Sequence, residues 1–307
     1  MVKKRVRDPE VLPEAPQVAA DDNESGSDTV CLSIVLCDNA CSKHNQDMNM
    51  VDVEFEWFNF KPDVDFHGLR SLVRQLLDVD SQMFDLSALA DLILSQPTVG
   101  STVKVDGEDT DAYAFLTVLN LHEHREKQVV KKLTEYIKEK VKTNEGLAPL
   151  EGVLGSSAQI GLVLTERLIN APSEISPPMY GMLIDELEAA VEDKEPYEFT
   201  HYLIISKTYQ EIESTLDQEE APKQKKTKAK KSSRDTFYFH PEDEVLQRHA
   251  LAYGTYEYTN DEGEGMADSK RAFQEVGIKP QGSMILIEAS KFEGAVKAIS
   301  DYLNPQQ

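Results

Sequence analysis

The chain has 307 residues, 40 % of them hydrophobic, and carries 32 Lys and Arg against 55 Asp and Glu for a formal net charge of −23. That is enough apolar sequence for one large folded domain or two small ones, at roughly 100–200 residues each. The surplus of negative charge repels polyanions, so direct nucleic-acid and membrane-surface binding are not expected, whereas a basic partner is.

No stretch approaches the ~18 consecutive apolar residues of a membrane span. The opening MVKKRVRDPEVLPEAP has charge but no apolar core behind it and is not expected to act as a secretory signal. Residues 1–50 read as a disordered acidic tail carrying an atypical Cys-containing insert: over 1–30 Pro, Asp, Glu and Ser dominate, and too few apolar side chains follow Val11 to offset chain entropy, whereas 31–50 are compositionally odd. Within it, Cys31, Cys37, Cys41 and His44 offer four thiol or imidazole ligands. Structural zinc sites pair ligands two to four residues apart in two such pairs, and the intervals here do not. Three cysteines clustered this way do not suggest a disulfide scaffold, and a reducing compartment is expected.

The folded part is expected from Val51. Val51, Val53, Phe55 and Trp57 alternate with acidic residues, the period of a half-buried strand. Asp65 is placed to cap a helix whose inner stripe is Phe66, Leu69, Val73, Leu76 and Leu77, and a second helix spans about 86–95. TVKV (102–105) and YAFLTVLNL (113–121) read as a hairpin turned by Asp106-Gly107. A basic amphipathic helix follows at about 125–143, then a loop over 144–158 and the apolar strand IGLVL (160–164). Pro177-Pro178 opens a helix to about 192, burying Met182, Leu183, Leu187 and Val191, and FTHYLIISK (199–207) is strongly β-forming. After a charged linker come FYFH (237–240), a short helix through Val245 and Leu246, the Tyr-rich strand 251–259, SMILIE (283–288) and a last amphipathic helix. Strands alternating with helices imply an α/β fold with a mixed central sheet flanked by helices. Residues 51–218 are expected to form its core, 219–234 a basic linker, and 235–307 the strands and helix completing the same domain.

The search for chemistry returns little. His122 and His124 share a face at the end of a strand, yet no third metal ligand is evident. No nucleophile elbow, Walker loop or Gly-x-Gly-x-x-Gly turn occurs, so neither catalytic residues nor a cofactor is expected. Charge clusters stand out instead. Lys223, Lys225, Lys226, Lys228, Lys230 and Lys231, with Arg234, form a basic run free of acidic residues, the composition of a nuclear-import signal. Asp185, Glu186, Glu188 and Glu192 on one helix, and Glu242, Asp243 and Glu244 on another, are the candidate acidic residues for holding a basic client.

Six blocks carry a resemblance: VDVEFEWFNFKP (51–62), DFHGLRSLVRQLL (65–77), GSTVKVDGEDTDAYAFLTVLNLHEH (100–124), LTERLINAPSEISPPMYGMLIDELE (164–188), FTHYLIISKTY (199–209) and FYFHPEDE (237–244). In order and spacing they resemble the BCCIP family of eukaryotic nuclear proteins, including its fungal BCP members. The resemblance implies a non-enzymatic protein of nucleus and cytoplasm that escorts a basic large-subunit ribosomal protein. It implies partnership with nuclear import and export receptors. In fungi it further implies export of a phosphatidylinositol-phosphate kinase, hence a role in actin organisation and vesicle transport, and in animals a cell-cycle or DNA-repair scaffold. It also implies a fold similar to the GNAT acetyltransferases, which raises acetyl-CoA-dependent transfer as an alternative. The pyrophosphate turn of those enzymes is expected to correspond to LNLHEHREKQVV (119–130), where no glycine occurs and Glu123 and Glu126 oppose phosphate. Against the family pattern, LSIVLCDNACSKHNQD intervenes before the first strand and reads as a retained intron or a lineage-specific insertion, dispensable for function.

Overall fold

The computed structural model describes residues 30–32, 53–211, 236–260 and 278–303. Alternation forms β2 (Val53–Asn59), and Pro62 occupies the first turn of α1 (Pro62–Leu77). Asp65 is not the N-cap: it sits one turn inside α1, accepting from the Lys61 amide at 2.7 Å and meeting Lys104 Nζ at 2.6 Å in a fully buried ion pair. Asp85 does cap α2 (Leu86–Leu94), accepting from the Ala88 amide at 3.0 Å. β3 (Ser101–Val105) and β4 (Ala114–Asn120) pair antiparallel around a turn whose Asp106 and Gly107 take φ of 62° and 96°, as the Asp-Gly signal predicts. α3 (Gln128–Val141) follows. The expected loop then contains a helix, α4 (Ala148–Leu154), which buries Leu150.

The second half comprises β5 (Ile160–Arg167), α5 (Ser176–Glu192), β6 (His201–Glu211), β7 (Thr236–Tyr238), α6 (Glu242–Arg248), β8 (Ala252–Tyr256), β9 (Ile278–Glu288) and α7 (Ala289–Leu303). Along α5 the inward stripe runs Met179, Leu183, Leu187 and Ala190, so Val191, expected inside, lies off it and is exposed. The first described element is β1 (Val30–Leu32), which pairs antiparallel with Val53–Phe55 although it lies in the stretch expected to be disordered.

Among the described residues the strands form one sheet in the order β1-β2-β3-β4-β5-β6-β9-β8, with β7 beside β6. Neighbours are antiparallel except β5 and β6, which run parallel, so the sheet is mixed and mostly antiparallel. Helices cover both faces. Leu162, Leu164, Leu203, Ile205 and Leu286 face a core shared with α1 to α4, and Val163, Ile204, Ile285 and Ile287 face one shared with α5 to α7. Because β5 and β6 are covered on both sides, they read as continuous apolar runs. β9 slots between β6 and β8, so the last strands belong to the same sheet as the first. No described helix is long and apolar enough to cross a membrane.

Candidate functional site

A parallel pair at the middle of an α/β sheet is where a ligand crevice is ordinarily found, beyond the carboxyl ends of the strands. Here β5 and β6 pair from Ile160↔His201 to Leu164↔Ile205 and no further. Beyond that point β6 is joined by β7, through Thr208↔Tyr238 to Gln210↔Thr236. Between the two pairings the strands stand apart, and the segment from His240 into the first turn of α6 fills the gap.

Its three polar residues each engage a different strand residue. On the face of α1, Glu166 meets Lys207 Nζ at 2.6 Å, His240 Nε2 at 3.2 Å and Gln75 Nε2 at 3.0 Å. Lys207 also donates to the Gln75 carbonyl at 3.2 Å and lies 5.4 Å over the Phe239 ring. On the face of α5, Arg167 binds Glu242 through both terminal nitrogens and donates to Ser176 Oγ at 3.0 Å, while Ser176 donates to Glu242 at 2.8 Å. One strand over, Ser206 donates to Asp243. Glu166, Glu242 and Asp243 are each about 1 % exposed.

The charge states follow from these partners. Burial pushes the Glu166 carboxyl up, but hydrogen bonds and charge from His240 and Lys207 outweigh it and hold the group below the usual carboxylate range. Glu242 is likewise held low, burial being overcome mainly by the charge of Arg167. Among the described residues the Asp243 carboxyl has only the Ser206 hydroxyl as a direct hydrogen-bond partner. Burial dominates there, aided by the neighbouring Glu242 carboxylate, and pushes it up to about 7.

These positions revise the sequence expectations. Glu186, Glu242 and Asp243, expected to face a client, are interior: Glu186 accepts the Gly100 amide at 2.7 Å, and the other two close the gap. Asp185, Glu188 and Glu192 are exposed and, at spacings of three and four, share one stripe of α5. Glu244 is half-buried and pairs with Arg248 at 2.5 Å. The basic run from Lys223 to Arg234, together with Cys37, Cys41 and His44, lies outside the described residues. His122 lies 2.6 Å from an Arg125 nitrogen, and no group of His, Cys, Asp or Glu among the described residues is placed to hold a metal. Residues 119–130 join β4 to α3, and β4 is antiparallel to both neighbours. The connection that crosses the parallel pair is 168–200, so 119–130 is not the counterpart of a phosphate turn. Sequence reasoning missed the cluster itself. Its signal is charge inside β-forming runs: Glu166 and Arg167 after IGLVL, and Lys207 after YLIIS.

The model of the BCCIP family matches residues 50–246, a span that includes the whole gap-filling turn. The chain belongs to the BCCIP family. Among its relatives, Protein BCP1 of Gibberella zeae is 55 % identical over 307 residues, covering 100 % of both chains. Protein bcp1 of Schizosaccharomyces pombe is 45 % identical over 260 residues, 83 % of this chain and 91 % of its own. The crystal structure of BCP1 from Saccharomyces cerevisiae is similar with a TM-score of 0.55 at 26 % identity, covering 85 % of this chain and 93 % of that one. This BCCIP member thus shares its α/β architecture with a solved fungal relative.

Proposed function

We propose that this protein is a non-catalytic escort for a strongly basic client, a large-subunit ribosomal protein, and that it moves between nucleus and cytoplasm. One observation carries the non-catalytic part: the crevice beyond the parallel strands is filled by the protein's own His240–Asp243 turn, whose side chains are bound to the strands that would line it. An acetyl-CoA site of the GNAT kind would lie at the start of α5, where backbone N–H groups must be free for phosphate. The turn 168–175 has no glycine, Pro177 and Pro178 remove two donors from the first helical turn, and Glu242 places a carboxylate beside Ser176.

The escort part is supported by the net charge of −23 and by the exposed stripe of Asp185, Glu188 and Glu192, which offers a cation-seeking surface on a rigid helix. The basic run Lys223–Arg234 supplies the import address read by a nuclear import receptor, and the kinase-export and actin-linked roles of fungal relatives follow as part of the same shuttling. Purified protein in stoichiometric excess is expected to keep the free ribosomal protein soluble, with binding that weakens as salt is raised. Client precipitation unaffected by the protein would overturn the reading. Calorimetry with acetyl-CoA is expected to show no saturable heat, and micromolar affinity there would reinstate the enzyme.

A further inference from the structure

At one end of the sheet, β2 offers more ladder than its neighbours fill. On one side it pairs with β3 from Phe55↔Val105 through Asn59↔Ser101. On the other side β1 pairs with Val53 to Phe55 and goes no further, so among the described residues no strand lies beside Glu56–Asn59.

The register tells which backbone groups are left open. In an antiparallel pair, opposite residues either bond to each other or both turn outward. The Val103 carbonyl accepts from the Tyr113 amide at 2.8 Å, on the β4 side, so Val103 and its opposite residue, Trp57, turn away from each other. Trp57, and Asn59 two residues on, therefore direct N–H and C=O to the open edge. Phe55 has the same phase and is the last β2 residue that β1 reaches.

Side chains along this edge select what can join it. Glu56 is half-buried, and its carboxylate makes no ion pair or hydrogen bond among the described residues. The residue directly across from it, Lys104, is committed to Asp65 at 2.6 Å and to the Glu108 carbonyl at 2.5 Å. Phe58 shares the Glu56 face, while Trp57 lies on the other face against the core shared with α5. A strand added here sets one side chain about 5 Å from Glu56. A cation there supplies the charge that Glu56 lacks. An acidic segment is repelled, and so is the same edge of a second copy, which brings its own Glu56 and a net charge of −23. An edge carboxylate thus bars strands of its own sign and admits basic ones.

We propose that the Glu56–Asn59 edge of β2 is a docking site for an extended basic segment of a partner protein, which adds as an antiparallel strand beyond the end of β1. Its cationic side chains flank Glu56 and Phe58, the alternate apolar ones cover Trp57, and its main chain exchanges hydrogen bonds with Trp57 and Asn59. The proposal rests on the escort reading and gives the client contact a mode, strand addition, in place of a diffuse acidic surface.

The probe is a fluorescent eight-residue peptide alternating Lys and Val, titrated into the full chain and followed by anisotropy. It binds, and a peptide alternating Glu and Val does not. N-methylation of the Val amides, which face Trp57 and Asn59 in this register, weakens binding roughly tenfold, in line with two lost main-chain hydrogen bonds. N-methylation of the Lys amides, which face outward, leaves it unchanged. Glu56→Gln weakens the unmodified peptide about threefold. In residue-resolved amide exchange, saturating peptide slows Trp57 and Asn59 and leaves Glu56 and Phe58, whose phase bonds them to β3, as they were.

If the two methylated peptides bind alike, or if Trp57 and Asn59 exchange no more slowly with peptide bound, the edge is not the site, while the escort reading stands. Exchange at those two amides as slow as at Glu56 and Phe58 in the free chain also overturns the proposal. The edge is then filled by the chain itself, or by a second copy if the slowing grows with protein concentration. A wild type that protects the ribosomal client without binding the peptide overturns the edge alone. If it neither binds the peptide nor protects the client, the escort reading falls as well.

Discussion

Arg167 holds Glu242 through both terminal guanidinium nitrogens, joining the end of β5 to the first turn of α6 across 75 residues of chain. The contact is short in space because β5 parts from β6 after Leu164, leaving room for the α6 turn to enter the sheet. A ligand crevice and a buried ion pair are alternative uses of the same gap, and this chain has the second.

Breaking that pair on one side leaves a carboxylate stranded in the interior. Arg167→Met is expected to lower the unfolding free energy by about 3–5 kcal/mol, the usual result of orphaning one buried partner. Arg167→Met combined with Glu242→Leu is expected to recover most of the loss, since neither charge then needs a partner. Urea denaturation of the two variants checks this: a double variant as unstable as the single one would locate the effect elsewhere.

Asp243 gives the fold a pH dependence opposite to that of its neighbours. Its carboxyl is pushed up to about 7 from the usual 3.8. Between those values the native state keeps a proton that the unfolded chain has released, so this group's contribution to stability falls as pH rises through the window and is lowest above it. Glu166 and Glu242, held below their usual range, contribute stability at neutral pH that is lost only as pH falls through their lowered values. Asp243→Asn is therefore expected to gain on the order of 1–3 kcal/mol over wild type at pH 8 and little at pH 4. Equal differences at both pH values would show that Asp243 is already ionised in the native protein.

Two glycines with positive φ separate backbone strain from crowding. A Cβ at Gly100, φ 117°, would sit 2.3 Å from a Phe60 ring carbon and 2.7 Å from Thr117 Oγ1. At Gly107, φ 96°, it would meet nothing within 4 Å. Gly107→Ala is expected to cost about 1–2 kcal/mol from the backbone alone, and Gly100→Ala a further 1–3 kcal/mol from overpacking. Thermal melts of the pair measure the difference, and equal costs would remove Phe60 as the reason for the glycine.

The sheet was legible because its strands alternate or run apolar and its turns carry Asp-Gly and Pro signals; β3, β4, β5 and α2 fall within a residue or so of their expected starts. α4 was hidden because Gly146, Gly152 and Pro149 give 144–158 the composition of a loop, and tertiary burial of Leu150 overrides it. The gap-filling cluster was illegible for a different reason. Glu242, Asp243 and Glu244 are three consecutive acids, which in isolation describe a solvated helix start. Only the arrival of Arg167 and Ser206 from distant strands turns two of them inward. Of the acidic residues singled out on α5, Asp185, Glu188 and Glu192 lie on the outer stripe and are exposed, while Glu186 faces inward.

The pairing of β6 with β9 extends over eleven residues, from His201↔Glu288 to Glu211↔Ile278. During synthesis β6 emerges well before β9, so a nascent chain carries a long apolar strand with an open edge until residues 278–288 leave the ribosome. Such edges recruit other strands. Premature termination between Glu211 and Ile278 thus yields an adhesive species rather than a trimmed one, and the need to shield this chain lasts until β9 has been made.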